Sequence, residues 1–157
     1  MLYKNEHENV DIDRVFNSPA EEYDVFIRIA REEDIAVARQ MAKQLAQEAG
    51  FSLADITKIA TAVSELARNI YRYAGQGRIM IKKLLNEREG PYLEVIASDR
   101  GPGIAEIELV MTKGYTTYER SLGIGLSGVK RLMDSFAIYS EVGKGTVVIA
   151  GKRRRKF

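Results

Sequence analysis

Glu65 and Asn69 lie within Ser64-Glu65-Leu66-Ala67-Arg68-Asn69-Ile70-Tyr71 and are spaced for joint action. On an α-helix, residues four apart are separated by about 40° around the axis and about 6 Å along it, so this carboxylate and carboxamide project side by side. An Asn carbonyl oxygen is a hard ligand suited to Mg²⁺, which takes few protein ligands and leans on phosphate oxygens and water. A neighbouring Glu can orient or deprotonate a nucleophile. The same pair would serve equally as the solvated polar edge of an ordinary helix, and by itself it leaves both readings open.

Two glycine motifs bear on the choice. Asp99-Arg100-Gly101-Pro102-Gly103 follows an apolar strand pattern directly. Glycines there let the backbone turn sharply and approach a ligand. An Asp at a strand end can accept a hydrogen bond from an exocyclic amine such as that of adenine, or simply stabilise a Gly-Pro turn. Gly123-Ile124-Gly125-Leu126-Ser127-Gly128 has the letters of a dinucleotide fingerprint, but a polar loop precedes it where that fingerprint needs a strand. A protein-kinase glycine loop fails too, because Lys130 stands where Val is required and no His-Arg-Asp or Asp-Phe-Gly follows. No Gly-Lys-Ser/Thr phosphate loop is present. What survives is general: glycines at a helix N-terminus present free N–H groups to an anion, most often phosphate. Lys130 and Arg131 would add positive charge there. Gly145-Thr146 opens a late strand.

The elements that must position these groups are legible from periodicity. Residues 23–29 alternate as a strand. Glu32-Glu33-Asp34 opens a helix that Gly50 ends. The helix carrying Glu65 and Asn69 runs from Leu53 to about Tyr73, with Ser52 as N-cap and Leu53, Ile56, Ile59, Ala60, Val63, Leu66, Ala67 and Ile70 on its apolar face. Strands at 78–84 and 92–98 flank a turn at 86–90. A short helix at 104–111 and a polar loop at 112–121 precede the second glycine motif, and a helix is expected over 129–136. Strands at 137–142 and 146–151 close the chain. The resulting order, β-α-α-β-β-α-α-β-β, predicts an α+β fold: a two-layer sandwich with a mixed β-sheet and helices on one face.

Composition narrows the chemistry. The chain has 157 residues, enough for one domain with a real core. It has no Cys, which removes thiolate nucleophiles, zinc-thiolate sites and disulfides. The single His, His7, lies in a polar N-terminal stretch, so neither a multi-His metal site nor a phospho-acceptor His within the domain is available. A net charge of +2 does not imply nucleic acid. No apolar run reaches membrane-spanning length and no signal-peptide core is visible, so the expected setting is cytoplasmic. Residues 1–22 read as a polar arm in which a short helix around 11–16 can form, residues 23–157 as a single domain, and 152–156 as a solvated basic tail.

Glu-x-x-x-Asn on a helix, Asp-x-Gly-x-Gly after a strand, Gly-x-Gly at a loop–helix junction and Gly-Thr on a late strand occur here in the order that resembles the Bergerat ATP-binding fold of the GHKL group, over about residues 23–152. Within that group, residues 64–71, 101–104 and 128–134 are similar to the switch kinases of the bacterial stressosome, a family related to anti-sigma-factor kinases. The resemblance implies that Asn69 binds the Mg²⁺ bridging the phosphates of ATP and that Glu65 is the general base. It implies that Asp99 holds the adenine amine with support from Thr146, and that Gly101, Gly103 and Ile104 pass close to the nucleotide. Residues 112–122 would be a lid, and Gly123, Ile124, Gly125, Leu126, Ser127 and Gly128, with Lys130, would wrap the phosphates. It also implies a Ser/Thr protein kinase that phosphorylates STAS-domain proteins of a stressosome core and then activates a PP2C-type phosphatase. An anti-sigma-factor kinase and a non-catalytic docking activator of a phosphatase are the alternatives.

Overall fold

The computed structural model describes residues 10–111 and 124–155. The expected loop and lid over 112–122 and the site residue Gly123 lie outside the described residues. Five strands, β1 (Val25–Ile29), β2 (Gly77–Asn86), β3 (Gly90–Asp99), β4 (Ser135–Glu141) and β5 (Gly145–Arg153), form one sheet in the order β1-β2-β3-β5-β4. Every neighbouring pair is antiparallel, so the sheet is not mixed. The reason is topological. Two helices between β1 and β2, α2 (Glu33–Glu48) and α3 (Leu53–Asn69), return the chain to the end it left, so β2 runs against β1. The crossover after β3 does lay β4 parallel to it, but β5 inserts between them.

Helix α3 forms where the apolar period is longest. Ser52 caps it by accepting from the Asp55 N–H at 3.2 Å. Ile56, Ile59, Ala60, Val63, Leu66 and Ala67 are buried as the spacing requires, whereas Leu53 in the first turn is 79% exposed. Regular α-helix ends at Asn69, and a π-helical turn at Ile70–Ala74 follows, closed by Gly75 donating to the Ile70 carbonyl at 2.9 Å. Turns of this kind reorient the residues that follow them. α2 and α3 pack on one face of the sheet over Val25, Ile29, Ile79, Ile81, Val95, Ile138 and Val148. Among the described residues, no helix is long and apolar enough to cross a membrane.

The sequence reading differs from the structure in three further places. First, the helices are not confined to one face. Within the polar arm, α1 (Ile12–Phe16) is capped by Asp11 and buries Ile12 with Met80, Ile96 and Val147 on the opposite side of the sheet. The Arg78 guanidinium lies 4.6 Å from the Phe16 ring and the Arg100 guanidinium 4.9 Å from it. Second, the helix expected over 129–136 is α5 (Gly125–Leu132), which follows α4 (Ile107–Met111), and Phe136 belongs to β4. The glycines concealed its start, because glycine ranks low as a helix former. Third, the basic tail is not simply solvated. Lys152 is 3% exposed and donates to the Leu132 carbonyl at 2.7 Å, with Asp134 at 3.6 Å and Asp55 at 3.9 Å. Truncating it strands a buried carboxylate, so Lys152→Ala is expected to lower unfolding free energy by about 3 kcal/mol in urea titration.

Candidate nucleotide-binding site

The C-terminal half of α3, the π-helical turn, the end of β3, the segment leading into α4, the start of α5 and the start of β5 enclose a cavity of about 470 Å³. Its lining is largely apolar, with Leu66, Ile70, Ala97, Leu109, Val110 and Val148 on the wall. Polar groups enter from two sides: Glu65 and Asn69 from α3, and Asp99 and Thr146 from paired positions on β3 and β5. A concave, mostly apolar cavity with a few convergent polar groups is the usual form of a small-molecule site.

Glu65 is not on a solvated edge. It is 2% exposed. One carboxylate oxygen takes a hydrogen bond from Arg68 at 2.9 Å and the other from the Gly125 N–H at 3.2 Å, and the Ile124 N–H also contributes. Burial raises its pKa above the usual glutamate range, against the lowering effects of the Arg68 charge and of these donors. The carboxylate thereby ties α3 to the glycine junction at the start of α5.

Asp99 ends β3. Burial pushes its pKa up, while N–H donation from Gly101, at 2.8 Å, and from Thr146 pulls it down. Two glycines are required by close approach. Gly103 has φ +78, and a side chain there would run into the Glu141 carbonyl oxygen. Gly145 has φ +134, and a side chain there would run into the Asp99 carbonyl oxygen. The β4–β5 turn is thus pressed onto the Asp99 loop.

Of the residues singled out from sequence, Glu65, Asn69, Asp99, Gly103, Ile104, Gly125, Leu126 and Thr146 line this one cavity. Gly101 and Ile124 adjoin it through their N–H groups. Ser127, Gly128 and Lys130 lie farther along α5 and are not on the cavity wall. Gly128 instead admits the Ile124 side chain, which a Cβ there would meet at 2.5 Å. Sequence reasoning missed Arg68 and Ser140. The π-helical turn brings Tyr73 to the wall. Ser140 stands opposite Thr146 across the β4–β5 hairpin, a pairing that the hairpin register alone could have signalled.

A metal fits this site in a particular way. Among the described residues, no group of three His, Cys, Asp or Glu side chains is placed to hold an ion. An ion beside Asn69 would draw most of its ligands from phosphate and water, which is how Mg²⁺ is held with nucleotides and unlike a resident transition-metal centre.

This chain belongs to the family of histidine kinase-like ATPase domains, which it matches over residues 29–152. The GHKL resemblance seen in the motifs is thereby borne out. The chain is an RsbT-like serine/threonine-protein kinase: it is 49% identical over 126 residues to the serine/threonine-protein kinase RsbT of Bacillus subtilis, covering 80% of this chain and 93% of that one. It is 34% identical over 131 residues to the anti-sigma F factor of Clostridium acetobutylicum, covering 80% and 89% respectively. Its fold resembles the crystal structure of the RsbU and RsbW domains of a Mycobacterium tuberculosis protein, with TM-score 0.52, 20% identity, and coverage of 85% of this chain and 34% of that one.

Proposed function

We propose that the chain uses Mg-ATP to phosphorylate a Ser or Thr hydroxyl on a STAS-domain protein of a stressosome core, then exchanges partners to bind and activate a PP2C-type phosphatase in the cytoplasm. The observation that carries the chemistry is that Glu65 and Asn69 share one cavity with Asp99 and Thr146, placed at two sides of an apolar slot. Asp99 and Thr146 hold the adenine edge, and Gly103 lets the loop close on it. Glu65 accepts the proton of the incoming hydroxyl as its oxygen bonds to the γ-phosphorus and the bond to the β-phosphate oxygen breaks, releasing ADP. Asn69 would hold the Mg²⁺, which when bound would supply charge neutralisation at the phosphates. Such reactions depend on positioning and electrostatics more than on covalent help from the protein. The partner assignments rest on the likeness to RsbT.

Calorimetric titration of ATP, with and without Mg²⁺, on the wild type and Asp99→Asn tests the nucleotide reading. Binding that strengthens with Mg²⁺ and falls at least about tenfold in Asp99→Asn supports it, a loss in line with removing a charged hydrogen bond. Wild-type protein that binds no ATP overturns it. Phosphate transfer to a STAS-domain protein then tests the substrate. The likeness to an anti-sigma F factor favours one rival, a kinase that holds a sigma factor. Stable capture of a sigma factor, with no transfer to core proteins, would replace the stressosome reading.

A further inference from the structure

Ser140 joins three segments on which the site depends. It stands in β4 directly opposite Thr146 of β5. The Ile104 N–H donates to its hydroxyl oxygen at 2.7 Å, the Gly145 carbonyl oxygen lies 3.0 Å away, and the Thr146 hydroxyl lies 2.7 Å away. A serine hydroxyl has one proton and two lone pairs. Two of the three partners have fixed polarity, since an amide N–H only donates and a carbonyl only accepts. The Ser140 proton therefore goes to Gly145, and one lone pair goes to Ile104. The remaining lone pair faces Thr146, which must be the donor in that contact. With its proton committed to Ser140, Thr146 turns only lone pairs to the cavity it lines beside Asp99. Ionised Asp99 also only accepts. The two side chains thus offer acceptors and no proton at this edge of the slot.

We propose that Ser140 is a specificity-determining positioning residue: by taking the proton of Thr146 it fixes that hydroxyl as a direct acceptor toward the cavity, and so favours a purine that has an amine, over one that has a carbonyl, at the ring position meeting it. The proposal rests on the cavity being the nucleotide site. Adenine presents an amine that meets these acceptors. Guanine presents a carbonyl oxygen at the same ring position, and acceptor would face acceptor. Without Ser140, the Thr146 hydroxyl is free to rotate and donate, and the discrimination relaxes.

The test is the affinity for ATP and for GTP, by calorimetry with Mg²⁺, on wild type, Ser140→Ala, Ser140→Thr, Thr146→Val and the double variant Ser140→Ala/Thr146→Val. Ser140→Ala is expected to weaken ATP binding about tenfold, the scale of one well-placed hydrogen bond, with GTP binding unchanged or tighter. In phosphotransfer assays KM for ATP rises by the same factor while kcat stays within about twofold, the pattern of lost uniform binding. Ser140→Thr keeps the hydroxyl and restores the preference. Because Ser140 acts through Thr146, the double variant is expected to be no worse than Thr146→Val alone. Ser140→Cys, similar in shape with a weak donor, carries the same comparison if the alanine variant does not fold. Equal losses for ATP and GTP, additive effects in the double variant, or an unchanged ATP:GTP ratio overturn the proposal. Wild-type protein that binds neither nucleotide overturns the nucleotide reading itself, and this proposal with it.

Discussion

The Glu65→Gln protein is expected to fold, to bind ATP, and to transfer phosphate about 10²–10⁴-fold more slowly than wild type, the range for removal of a general base. Gln is isosteric but has one acceptor oxygen where Glu has two. It can satisfy either Arg68 or the Gly125 N–H, and Arg68 is exposed enough to turn to water. The cost to the fold is therefore small and the cost to chemistry large. The pH dependence carries the same signature. The base-competent form is the carboxylate, and burial raises the pKa of Glu65 above the ordinary 4.5. As pH falls, the proton returns earlier than it would to an exposed glutamate. The acid limb of kcat is expected above 4.5 in the wild type and absent in Glu65→Gln, measured at saturating ATP and substrate protein. Transfer by Glu65→Gln at the wild-type rate would remove Glu65 from the chemistry and leave it as the link between α3 and α5.

Asn69→Ala is expected to abolish Mg-dependent phosphate transfer, a loss of about 10³-fold or more, since charge neutralisation at the phosphates contributes several kcal/mol. The fold should survive. Asn69 is the last residue of α3 and only half-buried, and alanine is the better helix former. Calorimetry separates the cause. If Asn69 holds the ion, the gain in ATP affinity from added Mg²⁺ shrinks while metal-free ATP binding is kept. Retained transfer in Asn69→Ala would sink the role given to this residue. Loss of metal-free binding as well would mean that Asn69 touches the nucleotide directly.

How much of this was legible beforehand depends on the range of the interaction. The pairing of Glu65 with Asn69 is a property of four-residue spacing on a helix, and α3 delivers both to the cavity. Ser52 as a cap and Gly50 as a helix end are likewise local, and both hold. Helix boundaries are not legible where glycine's low propensity argues against helix, as at Gly125–Gly128, because packing of Gly128 against Ile124 outweighs intrinsic propensity. The arm is polar in composition, yet Ile12 and Phe16 supply enough apolar surface for α1 to seat on the sheet.

The sequence by itself determined which side chains could do chemistry, the order of their motifs and, through that order, the ATP-binding family. These are encoded in identities and short spacings, which survive without any knowledge of distant contacts. Only the tertiary structure decided that the sheet is antiparallel throughout and that Lys152 closes the core against Asp55 and Asp134. Only it decided that Glu65 is buried against an amide sixty positions away, and that the Ser140 and Thr146 hydroxyls meet at 2.7 Å. Each of these depends on which strands and helices become neighbours. A hydrogen bond between residues far apart in the chain leaves no period in the sequence, because its partners are chosen by the fold and not by their separation.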